Sequence, residues 1–242
     1  MIMNEKSYSI LNVNHDKGTM TIRIEEPIIN KLERAQDEYT RKVGDCSIII
    51  TNRNKTVNDE EFQMEFATLK EKYGRWQDAK DCIRDECVLP AIEEAFGYDK
   101  MIADSSWTIN FDRSCRCMIS EIHVLDRKVV HYEETGYEDK ISSVKDADFN
   151  GACIAAIYDD IGDRGLKTAK NYDRIEELAS LRTTYAMEKS TLQNEFFDEH
   201  VSGILKNLEY DDYSNLTWEC GYFTGHLKIF ENTPDNCITC NK

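Results

Sequence analysis

Apolar and polar residues alternate over Ser7–Val13 and again over Thr19–Ile24, with Asn14-His-Asp-Lys-Gly18 between the two runs. Period-two patterning flanking a loop that ends in glycine predicts a β-hairpin, because Gly18 can take the left-handed backbone such a loop needs. Pro27 suits the first turn of a helix, and Ile28, Leu32, Ala35, Tyr39 and Val43 then recur at helical spacing. Gly44 reads as the stop of that helix. Cys46–Thr51, with three consecutive isoleucines, reads as a short strand buried on both faces.

Thr56 or Asn58 is placed to cap a helix opening on Asp59-Glu60-Glu61, acids that favour a helix N-terminus. Phe62, Phe66, Leu69 and Tyr73 form its inner stripe, and Gly74 reads as an interruption. Trp76, Ala79, Ile83 and Cys87 continue the helical pattern. Pro90 marks a kink or a last turn ending at Gly97. Trp107–Phe111, Arg116–Leu125 and Lys128–Tyr132 read as a three-stranded meander. Asp146 or Asp148 is placed to cap a helix bearing Phe149, Cys153, Ala156 and Ile157, which stops near Gly162. Leu166–Leu208 contains no proline and has apolar residues every three or four positions, predicting one long helix or a helical hairpin broken near 180–184. Strands return at Leu216–Phe223 and Leu227–Phe230. No internal repeat is visible at the short periods typical of solenoids and propellers.

Strands at the start, middle and end, enclosing amphipathic helices, predict an α+β fold. The expected organisation is a single domain over 1–242, with a soft boundary near 135–148. Three prolines and eleven glycines leave little room for linkers or low-complexity arms.

Charge changes the functional picture. Thirty basic against 46 acidic side chains leave −16, which disfavours nonspecific binding to nucleic acid or anionic lipid. Nine cysteines spread along the chain are an odd count, unlike a secreted disulfide framework. The N-terminal residues lack the basic-then-apolar pattern of a signal peptide, and no apolar run is long enough to span a bilayer. A cytoplasmic setting is expected, and the Asn-x-Thr sequons at Asn54 and Asn215 then read as chance matches.

The chain lacks the phosphate-binding, dinucleotide-binding, nucleophile-elbow and zincin motifs, so those enzyme classes are not expected. Its most distinctive feature is Glu133, Glu134, Glu138, Asp139, Asp146, Asp148, Asp159, Asp160 and Asp163, against Lys140 and Lys145 alone. Nine acids less two bases give −7 between His131 and Asp163. A second cluster comprises Glu195, Asp198, Glu199, Glu209, Asp211 and Asp212. Like charges held together oppose folding, so a basic partner gives a reason to retain them. Closely spaced carboxylates can imitate a nucleic-acid backbone, which carries about one charge per 1.7 Å of duplex axis.

The leading expectation is a non-enzymatic acidic binding protein that occupies a basic, nucleic-acid-handling protein. Phage counter-defence proteins such as anti-CRISPRs, and immunity proteins against nuclease toxins, use this physical strategy; no motif links this chain to either. The nine acids of the −7 segment are its expected partner-binding residues, and no cofactor is called for. A rival reading is a Mg²⁺-dependent nucleotide phosphohydrolase that gathers Asp159, Asp160, Asp163, Glu195 and Asp198 between two helices. Asp112 with Asp126-Arg127-Lys128 superficially resembles the acid and lysine arrangement of metal-dependent nucleases, although it lies where a turn is expected. A structural subunit of a larger assembly is a third reading. Cys237 and Cys240 with Cys115 and Cys117 could supply four thiolates to zinc. The five histidines are scattered, and no local signature pairs one with a nucleophilic cysteine.

Overall fold

The computed structural model describes residues 6–52, 54–102, 105–112, 117–125, 127–168, 170–208, 216–221 and 225–231. Strands β1 (Tyr8–Asn14) and β2 (Thr19–Ile24) form the expected hairpin, closing at Asn14 opposite Thr19. Helix α1 (Glu26–Asn52) packs antiparallel to α2 (Glu60–Ile83). A π-helical turn (Arg84–Val88), α3 (Leu89–Phe96) and the short α4 (Tyr98–Ile102) follow. Strands β3 (Ser105–Asp112) and β4 (Cys117–Val124) complete an antiparallel sheet ordered β1-β2-β4-β3.

The chain then enters β5 (Lys128–Glu134), α5 (Glu138–Asp163) and α6 (Tyr172–Phe196). A second π-helical turn (Phe197–Val201), α7 (Ser202–Asn207), β6 (Leu216–Gly221) and β7 (His226–Glu231) end the described fold. The second sheet is antiparallel, ordered β5-β7-β6. Helices and antiparallel strands thus combine in an α+β fold. No helix among the described residues is long and apolar enough to cross a membrane.

Several local expectations are overturned. Cys46–Thr51 is the last part of α1, not a strand. Its buried hydroxyls decide the matter: Ser47 Oγ donates to Val43 O (2.9 Å) and Thr51 Oγ1 to Ser47 O (2.7 Å), so a helix satisfies both internally. Gly44 and Gly74 do not stop helices; they allow close approach. A Cβ on Gly44 would lie 2.9 Å from Arg164 Nη2, and one on Gly74 3.2 Å from the Phe149 ring. Asp59, rather than Thr56 or Asn58, stands at the N-terminus of α2, where Asp59 Oδ2 accepts the Thr56 N–H (2.7 Å). Neither Asp146 nor Asp148 caps α5, which begins two turns earlier, at Glu138. Of the two readings of 166–208, the long helix holds, since α6 runs unbroken through 180–184, and only the hairpin alternative fails. The meander is also wrong: β4 pairs with β2 and β3, while β5 joins the second sheet through β7.

The two halves of the chain repeat one plan. In each, a strand leads into two long antiparallel helices, a π-helical turn, a short helix and a two-stranded hairpin whose last strand pairs back with the first. Glu26 and Glu138 open the first long helix of each half, and Glu60 and Tyr172 the second; the two separations are identical. The second helices retain a sequence echo: Phe66-Ala-Thr-Leu-Lys-Glu-Lys-Tyr73 matches Leu178-Ala-Ser-Leu-Arg-Thr-Thr-Tyr185. Trp107 on β3 faces Ile122 on β4, as Trp218 on β6 faces Ile229 on β7. A period of nearly half the chain is far longer than that of a solenoid repeat, which is why a search at short periods passes over it.

Among the described residues, three hydrophobic clusters hold this architecture. The central one joins all four long helices through Cys46, Ile50, Phe62, Leu69, Ile154, Ile157 and Leu178. A second packs Met20, Ile22, Ile24 and Ile122 of the first sheet on α1, the end of α2 and α3. The third packs Leu227 and Ile229 of the second sheet on Ile141, Phe196 and Val201.

Candidate functional site

Seven of the nine expected partner-binding acids lie on α5 and the other two, Glu133 and Glu134, on β5. With 26 residues at about 1.5 Å rise, α5 is roughly 39 Å long, so these carboxylates are strung along it rather than gathered. Three of the nine face cations, and a fourth faces a histidine. Asp148 bonds Lys189, and Asp160 meets Arg164 at 3.0 Å. Asp159 lies 3.8 Å from Arg182, and Glu133 lies 3.3 Å from His131 Nε2. Glu134, Glu138, Asp139, Asp146 and Asp163 are exposed and make no ion pair among the described residues.

Two causes account for that exposure. Glu138 and Asp139 occupy the first turn of α5, where the helix dipole favours negative charge. Lys140, one of the segment's two bases, turns to α6 instead and lies 2.8 Å from Glu195 and 3.7 Å from Glu199. Those carboxylates raise the pKa of its ammonium group. The asymmetry extends to the whole repeat. Residues 127–231 carry 21 acidic and 12 basic side chains (−9), whereas residues 6–125 carry 22 and 17 (−5).

The carboxylates of the phosphohydrolase reading do not converge. Asp159, Asp160 and Asp163 end α5, whereas Glu195, at the far end of the antiparallel α6, and Asp198, in the π-helical turn after it, lie where Glu195 meets Lys140 near the start of α5. About twenty residues of helix separate the groups, roughly 30 Å, far beyond the span of one Mg²⁺ shell. No group of three or more His, Cys, Asp or Glu side chains placed to hold a metal occurs among the described residues. Asp126, Cys115, Cys237, Cys240, Glu209, Asp211 and Asp212 lie outside those residues, so the turn and zinc readings cannot be placed on this fold.

Cys46, Cys82, Cys87, Cys153 and Cys220 are free thiols. Burial pushes the thiols of Cys46, Cys87 and Cys153 up to about 12 and that of Cys220 to about 11, so these side chains behave as small core residues and not as nucleophiles. His200 stacks on Tyr137 with ring centroids 3.6 Å apart, and His15 packs edge-on against Phe96.

A second polar constellation has no local sequence signal, because three distant segments build it. Tyr132 Oη and His226 Nδ1 lie 3.0 Å apart on neighbouring strands β5 and β7. Desolvation lowers the His226 pKa; Lys228 and Arg84 act in the same direction, and Glu134 and Asp85 oppose them. Desolvation likewise lowers the Lys228 pKa, helped by Arg84 and Arg127. Arg84 stands in the first π-helical turn, where it bridges Asp81 (2.9 Å) and Asp85 (2.8 Å).

A pH dependence follows. Because the folded His226 pKa is depressed, the unfolded chain binds the proton more readily. Its contribution to stability is present above the unfolded value near 6.5 and is lost as pH falls through and below it. Denaturant unfolding between pH 7.5 and pH 5.5 should show falling stability, with a shallower fall for His226→Gln; an unchanged slope in that variant would contradict the assignment.

No protein-family model, curated protein or solved structure matches this chain.

Proposed function

We propose that this protein is a non-enzymatic acidic binding protein that occupies a basic, nucleic-acid-handling protein partner in the cytoplasm. The observation that carries the reading is the row of exposed carboxylates Glu134, Glu138, Asp139 and Asp146, without a cationic partner among the described residues while Lys140 is committed to Glu195 and Glu199. The concentration of net negative charge in the same repeat supports it, as does the separation of the acid groups that a two-helix Mg²⁺ site would have to bring together. A basic groove shaped for phosphates would meet carboxylates along one helix edge, and long-range attraction would steer the encounter.

The test uses the full chain as bait in an extract of its native host. Nucleic-acid-binding proteins should be captured, displaced by excess duplex DNA, and lost as salt shortens the Debye length from about 10 Å at 0.1 M to about 3 Å at 1 M. Against the captured partner, Glu134→Gln, Glu138→Gln, Asp139→Asn and Asp146→Asn combined should slow association by about tenfold or more and alter dissociation less. An association rate indifferent to salt and to these four changes would refute the reading.

A further inference from the structure

The cleft between α1 and α2 has the opposite electrostatic character to the molecule as a whole. Its volume is about 610 Å³, within the range of roughly 300–1,000 Å³ common for small-molecule sites. Lys31 and Arg34 contribute from α1 and Lys72 and Arg75 from α2, against Glu38 and Asp78, so the lining is net positive in a chain of charge −16. At physiological ionic strength charges beyond about 8 Å are screened, and the local cations therefore govern what enters.

The two walls already hold an anion jointly. Glu38 receives Arg34 Nε at 3.1 Å on one carboxylate oxygen and Lys72 Nζ at 2.8 Å on the other. Those two bonds, Lys72 first, hold the Glu38 carboxyl below its usual range. Lys31, one turn before Arg34, makes no ion pair among the described residues; its polar partner there is Cys82 Sγ at 3.7 Å. Arg34 is largely exposed and able to swing. Lys31 stands seven residues, about 10 Å of helix, from Glu38, where Lys72 arrives from α2, so the cations are spread too far for one phosphate group and suit several in a row.

Comparison of the repeats shows that the fold does not demand this charge. At the offset that superposes the long helices, Lys31, Arg34, Lys72 and Arg75 correspond to Ser143, Asp146, Thr184 and Met187. Glu38 corresponds to Asn150, whose Oδ1 is enclosed with no hydrogen-bond partner among the described residues. The second repeat builds the same helical hairpin without a single one of the four cations, so they are not needed to pack α1 on α2.

We propose that the α1–α2 cleft is a binding site for a linked polyphosphate chain, carried by a nucleotide or by inorganic polyphosphate. The chain would replace the Glu38 carboxylate between the walls and compete with Glu71 for Arg75, which it bonds on α2; Arg34 and Arg75 would offer planar donor forks and Lys31 and Lys72 point charges. This proposal is independent of the partner-binding reading, which rests on α5 and β5.

Calorimetric titration of the full chain with sodium tripolyphosphate and with ATP, at low salt and without added metal, tests it. Saturable binding of one or both is expected, and their relative affinities show whether a nucleoside adds contacts. Lys31→Gln, Arg34→Gln and Arg75→Gln combined should weaken binding by about tenfold or more, as lost charge-assisted hydrogen bonds imply. Glu38→Gln should strengthen it, because the internal competitor is gone, whereas Lys55→Gln with Lys206→Gln, away from the cleft, should leave it unchanged. Thermal melts of each variant verify folding. Absence of saturable binding to either probe, or an affinity unmoved by the triple change and by Glu38→Gln, would overturn the proposal.

Discussion

Phe196→Ala is expected to lower folding stability by about 3–5 kcal/mol, the range for deleting a fully buried aromatic side chain. Phe196 is wholly enclosed at the end of α6, where the second sheet meets the helices. Its ring meets Tyr137 edge-on at 5.6 Å, tilts against His200 at 4.9 Å and lies near-parallel to Trp218 at 6.3 Å. The remaining residues cannot collapse into the void without moving β6 and β7, so a cavity term adds to the lost burial. For a chain of this size the melting temperature should fall by roughly 2–4 °C per kcal/mol. Met187→Ala, earlier on the same helix but two-thirds exposed, should change stability by no more than about 0.5 kcal/mol. Denaturant unfolding of both variants is the measurement, and a loss under about 1.5 kcal/mol for Phe196→Ala would contradict the packing of this cluster.

Gly18→Ala should also be severe, at about 2–4 kcal/mol, because conformational strain and steric overlap add. Gly18 has φ of +61°, a region where a Cβ is strained whatever space surrounds it. That Cβ would also lie 2.8 Å from the carbonyl oxygen of Val124. Neither backbone can yield freely, since the Val124 N–H donates to Gly18 O at 2.7 Å and locks the loop to the end of β4. Gly165 provides the control: its φ is +64°, but nothing stands within 4 Å of a Cβ there. Gly165→Ala should therefore show the strain alone, about 1–2 kcal/mol. Equal losses at the two sites would show that the contact with Val124 is not tight.

Local pattern carried much of the fold. The β1–β2 hairpin, the amphipathic stripes of α1 and α2, the last turn from Pro90 to Gly97 and the closing strands β6 and β7 were all legible. In each, the period of burial and the turn chemistry act over short stretches of chain, and tertiary packing agrees with them. The α+β class followed from their order. The −7 segment was equally plain, because charge is read directly from composition.

What the tertiary structure decided was every question of partnership. Three isoleucines in Cys46–Thr51 favour a strand by propensity, yet the facing helices bury that segment and its hydroxyls bond within the helix. Gly44 and Gly74 look like breaks until Arg164 and Phe149 arrive from the other half of the chain. Whether β5 joins β4 or β7 is a long-range choice that alternation along one strand does not encode. The repeat stayed hidden because two hairpins of one shape need matching burial at corresponding positions but little identity, leaving the Phe66–Tyr73 and Leu178–Tyr185 segments as its clearest trace. For the same reason the acids of the −7 segment became two kinds of residue only in three dimensions. Asp148, Asp159 and Asp160 acquired cationic neighbours and Glu133 a histidine, while Glu134, Glu138, Asp139, Asp146 and Asp163 stand toward solvent. Sequence sets the sign and density of charge, whereas distance to a counter-charge, set by helix packing, decides which carboxylates remain available to a partner.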